Sequence, residues 1–346
     1  MIQIQSHLKI TAVFFAFIAF ASACTPDKKT DMSDADNRIR LIFDTDANNE
    51  LDDQHALAYL LFNGDVFDVE AVTVNATFSG GNIDLQYAEA ERVAQLCGMH
   101  GTVPLLKGAD ASFPEILPNM MNDDFDGAEA VNFIIDRGMA DEDRPLLLLM
   151  VGKLTNAALA IGKEPALIDR IRILWLGSNY PDPGEYNQDN DTAAMNYLLN
   201  TGVEFEIALV RYGKADGTDA VRATRDEIGR RMPGQGLVVD RPVEGRHGGS
   251  FNNFGDYSVN LFEHISYHGD DQSRALFDMA AVAILKNPEW ASRRSIPAPI
   301  YLENQWVERP DNSRSIVLWE FFDRDGIMED FYRTMEQPVL VPAHTE

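Results

Sequence analysis

Short apolar runs recur along this chain, and most are followed by a segment whose apolar residues fall at helical spacing. Ile39-Arg40-Leu41-Ile42-Phe43 predicts a buried strand, and Leu51, His55, Leu57, Ala58 and Leu61 then mark a helix over 51–62. The alternation continues with a strand over 69–74, a helix over 83–97, and strands over 103–106, 146–151, 171–176 and 205–210. Helices are expected near 128–137, 155–161, 192–200 and 219–230. A sequence built this way folds as α/β: a mostly parallel central sheet, open as in Rossmann-like folds, with helices on both faces. Such sheets place their sites beyond the carboxyl ends of the strands. Residues 233–253 are rich in Gly, Pro and Arg, lack periodicity, and read as a long loop near the site. From Tyr301 on come two more strand-like runs and a final helix over 325–335. No repeat or low-complexity linker follows Asn37, so residues 38–346 are expected to form a single domain.

The first residues read as an address. Lys9 precedes an apolar run from Ile10 to Ala21, too short to span a bilayer stably, and Ser22-Ala23 lead into Cys24. Residues 1–23 are therefore expected to be a signal peptide. The segment resembles a bacterial lipoprotein signal, which implies cleavage before Cys24 and lipidation of its thiol. Residues 24–37 are polar and read as a flexible tether. The expectation is an exported protein, lipid-anchored at the cell envelope on its periplasmic or outer surface, touching the membrane only through that anchor. With Cys24 so used, Cys97 has no partner and reads as a buried thiol. The chain has 29 Lys+Arg against 55 Asp+Glu, a formal charge of −26. That field repels phosphate backbones and argues against nucleic acid as a partner. A homo-oligomer is left open.

The most informative segment is Asp44-Thr45-Asp46-Ala47-Asn48-Asn49-Glu50-Leu51-Asp52-Asp53, where the first strand ends and the first helix begins. One or two acids there could cap a helix. Four cannot be explained that way, because crowded carboxylates raise one another's pKa unless a cation neutralises them. The donors on offer are oxygens, with no Cys or His cluster, which points to Ca²⁺ or Mg²⁺ rather than zinc. An EF-hand would need Gly at Asn49 and Glu at His55. A phosphohydrolase with Asp44 as nucleophile stays open as a weaker reading, since Asp52-Asp53 would have no role in it.

The Asp-Thr-Asp…Asp-Asp signature resembles the inosine/uridine-preferring nucleoside hydrolase family, calcium-dependent enzymes that cleave the N-glycosidic bond of ribonucleosides. Further motifs follow in the family's order. Val74 to Asn82 looks like the segment ending in Gly-Asn, which implies that Asn82 contacts ribose. Leu149 to Asn156 resembles the strand end whose carbonyl, here that of Val151, ligates calcium. Asn179, Glu185 and Asn187 match the sugar-binding loop, and Phe277-Asp278-Met279-Ala280 resembles the late His-Asp-x-x-Ala segment. The resemblance implies a calcium shell of Asp46, Asp53, Val151 and Asp278, with Asp52 at the shell or on the substrate. It also implies Asn82, Asn179, Glu185 and Asn187 on the sugar hydroxyls. A cation of this kind acidifies water only modestly, so a carboxylate must take the proton, and Asp46 is the implied base. The implied substrate is a nucleoside or related riboside, whose sugar becomes oxocarbenium-like and is stabilised by surrounding acids.

Two departures from the family pattern stand out. Five residues, Ala47 to Leu51, separate Asp46 from the acid pair where the family has three, and Phe277 stands where the family places the His proposed to protonate a leaving purine. Among His247, His264 and His268, the loop residue His247 is the expected replacement acid. His55, Tyr186 and Trp175 are expected to pack rather than catalyse. The missing imidazole also motivates an alternative, a non-catalytic sugar- or nucleoside-binding lipoprotein on the same scaffold.

Overall fold

The structure, a computed structural model, describes residue 1 and residues 36–343. Cys24, the apolar run before it and most of the expected tether lie outside the described residues. The described residues from Asn37 on form one compact unit. Its central sheet has eight strands: β1 (Ile39–Thr45), β2 (Phe67–Val74), β3 (Leu105–Lys107), β4 (Leu146–Met150), β5 (Ile171–Gly177), β6 (Glu204–Leu209), β7 (Ser292–Pro297) and β8 (Ser315–Glu320). They lie in the order β7-β8-β6-β5-β4-β1-β2-β3, all parallel except the β7 edge, which runs antiparallel to β8. β2 and β4 are buried along their whole length; β4 is the continuous apolar run expected when helices cover both faces, while β2 also buries Asp68 and Glu70.

Ten helices are needed for the description: α1 (Asp52–Leu61), α2 (Ile83–Leu96), α3 (Ala128–Met139), α4 (Thr155–Lys163), α5 (Tyr186–Asn190), α6 (Thr192–Leu199), α7 (Arg225–Arg231), α8 (Phe254–Glu263), α9 (Phe277–Lys286) and α10 (Arg324–Glu336). One core joins α1, α2, α8, α9 and α10 to the sheet, and a second joins α3, α4 and α6 to the opposite face. α1 is buried on every side, which its Ala/Leu-rich sequence permits, and it packs against α9.

The chain runs outward from β1 through β2 to β3, then returns to place β4 on the other side of β1. This reversal makes the carboxyl ends of β1 and β4 the topological switch point, the crevice where open α/β sheets bind ligands. Asp44 pairs with Met150, and the Val151 amide donates to the Asp44 carbonyl at 2.8 Å. Asp46 and Val151, far apart in sequence, thus leave the sheet side by side.

Two expectations need correction, and one strand was missed. The helix expected over 219–230 begins only at Arg225. Thr224 and Glu227 form a capping box there, while Arg222–Thr224 pairs antiparallel with Ser273–Ala275. The loop 233–253 contains a tiny ladder, Val243–Glu244 with Ser250–Phe251, and α8 follows it with Asn253 as cap. β7 was not legible because Ser292-Arg293-Arg294-Ser295 is an exposed edge carrying no apolar pattern.

Candidate active site and metal centre

A cavity of about 790 Å³ opens at the switch point. Asp46, Asp52, Asp53, Val151 and Asp278 form its floor, and Glu185 and Asn187 stand in its wall. Asp52 and Asp53 occupy the first turn of α1, and Asp278 the first turn of α9. Two helix amino-termini therefore converge on one place and favour negative charge there. The carboxylates of Asp52, Asp53 and Asp278 are buried and lie within 4.8 Å of one another.

The electrostatics of this cluster are unfavourable without a cation. Burial, then the neighbouring charges of Asp44 and Glu185, pushes Asp46 up to about 7 against the opposing hydrogen bond from Thr77. Burial and the charge of Asp46 push Asp52 up to about 7. Asp53 and Asp278 are pushed well above the carboxylate range, first by burial and then by their acidic neighbours. No lysine or arginine pairs with any of the four among the described residues. An all-oxygen, buried and uncompensated donor set fits a hard divalent cation.

A second layer of polar groups fixes the floor. Asp44 is fully buried and accepts from Thr73 Oγ1 at 2.5 Å and from Asn75 and Asn156 Nδ2 at 2.7 Å each. It does not line the cavity, so it is placed to support β1 and not to attack a phosphate. Thr77 Oγ1 donates to Asp46 Oδ2 at 2.6 Å, and Thr45 Oγ1 donates to Asp53.

The expected sugar-binding residues divide. Asn187 Nδ2 donates to the Val151 carbonyl at 2.7 Å and to the Leu176 carbonyl at 3.1 Å, tying the loop to the floor. Glu185 caps α5: its oxygens accept from the amides of Ser178, Asn187 and Gln188 at 2.8, 3.1 and 2.9 Å, and from Tyr212 Oη at 3.3 Å. Asn179 Oδ1 accepts from the Tyr212 amide at 3.0 Å and lies behind the wall. Asn82 caps α2, accepting from the Leu85 amide at 3.3 Å, and is not among the lining residues.

The histidines are redistributed. His247 is exposed and stacks on His264 at 4.7 Å, outside the cavity wall, because loop 233–253 passes beside the site without lining it. From that loop it is the Arg246 guanidinium that feels the charge of Asp53. His268 lines the cavity instead. His55 is buried between the Leu51 carbonyl and Ser258 Oγ, and Trp175 donates to the Gly152 carbonyl at 3.0 Å. Tyr186 differs from expectation: it lines the cavity, and its hydroxyl accepts from the Ser79 amide at 2.9 Å.

Glu50, Tyr212, Asp219, Arg222 and Arg274 also line the cavity and carried no sequence signal. Arg222 and Arg274 arrive through the Arg222–Thr224/Ser273–Ala275 ladder, which no local pattern announces. Tyr212 meets Phe277 edge-to-face at 5.7 Å between centroids.

An inosine-uridine preferring nucleoside hydrolase of Leishmania major is 26% identical over 219 residues, 56% of this chain and 67% of that protein. The enzyme of the same description from Crithidia fasciculata is 27% identical over 184 residues, 46% of this chain and 56% of its own length. The solved structure of an inosine-guanosine nucleoside hydrolase superposes with a TM-score of 0.66 at 15% identity, covering 87% of this chain and all of that one. Residues 41–325, from the middle of β1 to the start of α10, match the inosine-uridine preferring nucleoside hydrolase family as a whole, and the chain belongs to that family.

Proposed function

We propose that the protein hydrolyses the N-glycosidic bond of ribonucleosides or related ribosides with the help of Ca²⁺, releasing ribose and the free base. The observation that carries this reading is the convergence of Asp52, Asp53 and Asp278, with Asp46 beside them, on the floor of a cavity at the sheet's switch point. Asp46, Asp52, Asp53, Asp278 and the Val151 carbonyl would hold the ion. When bound, it supplies the positive charge these acids lack and open positions for oxygen ligands.

The remaining chemistry falls to the chain. Asp46, buried at the cavity and held by Thr77, is the carboxylate placed to take a proton from water as the oxygen attacks C1′. The C1′–N bond breaks and its electron pair leaves with the base. Positive charge then builds on the sugar ring, and the acids around it stabilise that charge more than the neutral ground state. Asn187 and Glu185 shape the wall on the sugar side, with Glu185 acting chiefly as the cap that fixes the loop. Asn82 and Asn179, placed off the wall, would need the loop segments carrying them to approach the sugar.

Purified protein with Ca²⁺ should release base from at least one member of a panel of nucleosides and aryl ribosides. Calorimetry showing tight ribose binding with every riboside left intact would favour the non-catalytic sugar-binding alternative, which Phe277 in place of an imidazole motivates. The same proposal places the enzyme outside the cytoplasm on a lipid anchor, and palmitate labelling in a bacterial host should be lost in Cys24→Ala.

A further inference from the structure

The wall beside Phe277 holds no acid in the usual place, since a phenyl ring donates no proton. It does hold a cation. Arg274 lies four residues before Asp278, in the short strand that feeds α9, and is only 9% exposed. Its Nη2 pairs with Glu50 across the cavity mouth. Its Nη1 donates to His268 Nε2 at 2.8 Å and to the Ser266 carbonyl at 3.4 Å. A guanidinium only donates, so His268 accepts through Nε2. Arg274 Nε is buried and has no partner. With three of its five N–H groups committed to Glu50, His268 and Ser266, this held cation keeps donors uncommitted beside the cavity that it lines, where an unpaired donor is costly.

The pair also joins the two departures of this chain from its family. Glu50 belongs to the lengthened loop Ala47–Leu51, and Arg274 to the strand that leads into Phe277. We infer that Arg274 meets the departing base in place of the usual imidazole, and that Glu50 and His268 are positioning residues that orient its guanidinium. The inference rests on the hydrolase reading above. Rupture of the C1′–N bond leaves an electron pair, and hence negative charge, on the base. A guanidinium donor at an acceptor atom of the base stabilises that charge without giving up its own proton, and solvent protonates the base afterwards. Water has meanwhile given its oxygen to C1′ and a proton to Asp46.

The test compares leaving groups in the full chain saturated with Ca²⁺. Uridine and inosine lose poor leaving groups, whereas 4-nitrophenyl β-D-riboside loses a stable anion that needs little help. Arg274→Met should lower kcat on the nucleosides by roughly 100-fold or more, the size of a lost oxyanion donor, and on the nitrophenyl riboside far less. Glu50→Gln, at the half-exposed rim, should show the same pattern more weakly, and Arg274→Lys should recover part of the nucleoside rate. Equal losses on both substrate types, or no loss, would overturn the inference. If Arg274→Met fails to fold, the substrate pattern of Glu50→Gln decides. Wild-type protein that cleaves none of the three would instead sink the hydrolase reading and take this inference with it.

Discussion

Glu70 and the Asp52–Asp53–Asp278 cluster are both carboxylates removed from water in the same fold, and the molecule treats them in opposite ways. Glu70, in β2, receives Arg40 Nε at 2.5 Å and Arg137 through two nitrogens at 2.7 and 2.8 Å. Burial alone would raise its pKa, but the hydrogen bonds from Arg137 and Arg40 outweigh it and hold the carboxyl below its usual value. At the carboxyl ends of the strands Asp46, Asp52, Asp53 and Asp278 have no side-chain cation paired with them among the described residues, and their pKa values move up. A buried acid whose counter-charge is built into the chain holds the scaffold together. A buried acid whose counter-charge must come from solution marks a ligand site.

The contrast is sharpest in activity and in the sign of mutational effects. Asp53→Ala should abolish calcium binding and cut kcat/KM by more than the roughly 10–100-fold typical of outer-shell partners, read by calorimetry and base release. In calcium-free buffer the same substitution should raise the melting temperature, because it relieves a crowded cluster. Retained activity would show that Asp53 is no ligand. A lower melting temperature would show that the cluster is not frustrated.

Glu70→Gln should do the reverse: lower stability by about 3 kcal/mol at pH 7 in urea unfolding, with activity per folded molecule unchanged. Its pH dependence has a definite sign. The Glu70 pKa is depressed, so its contribution is complete above the unfolded value of 4.5 and is lost as pH falls through the folded one. The gap between wild type and Glu70→Gln should therefore close in acid. The calcium-free cluster works the other way. Asp46 and Asp52 sit near 7 against a usual 3.8, so the folded state binds protons more tightly and their penalty shrinks as pH falls from above 7 toward 4. Calcium at a hundred times its Kd should add about 2.7 kcal/mol to the wild type and nothing to Asp53→Ala. The smallest effect concerns Cys97, fully buried with its thiol pushed up by burial. In a Cys24→Ala background it should resist iodoacetamide until urea unfolds the chain.

Much of this was legible in the sequence because it is local. The strands and helices through β6 carry their own periodicity, and Asp44 to Asp53 spans the turn from β1 into α1 without interruption. Asp278 could be tied to that cluster only through the resemblance, since nothing near it says that α9 will lie against α1. What sequence could not supply were partners chosen by tertiary pairing. His247 sits in the loop with the most suggestive composition, yet His268 reaches the cavity because its hairpin closes on Ser273, and the Ser273–Ala275 strand pairs with Arg222–Thr224. Arg274 is an ordinary arginine until that ladder forms and Glu50 meets it. Glu185 looked like a sugar ligand, and its type and spacing cannot reveal that backbone amides already fill most of its acceptor sites.

The polar edge strand β7 has a consequence for molecules at high concentration. A parallel sheet this broad has two open rims, each able to recruit a strand from a neighbouring molecule. β3 is only three residues long and ends on Lys107, while β7 exposes Arg293 and Arg294. Lys107 is ion-paired with Asp84 and Arg294 with Glu320, so a strand joining either rim would have to desolvate paired charges, which works against intermolecular sheet growth.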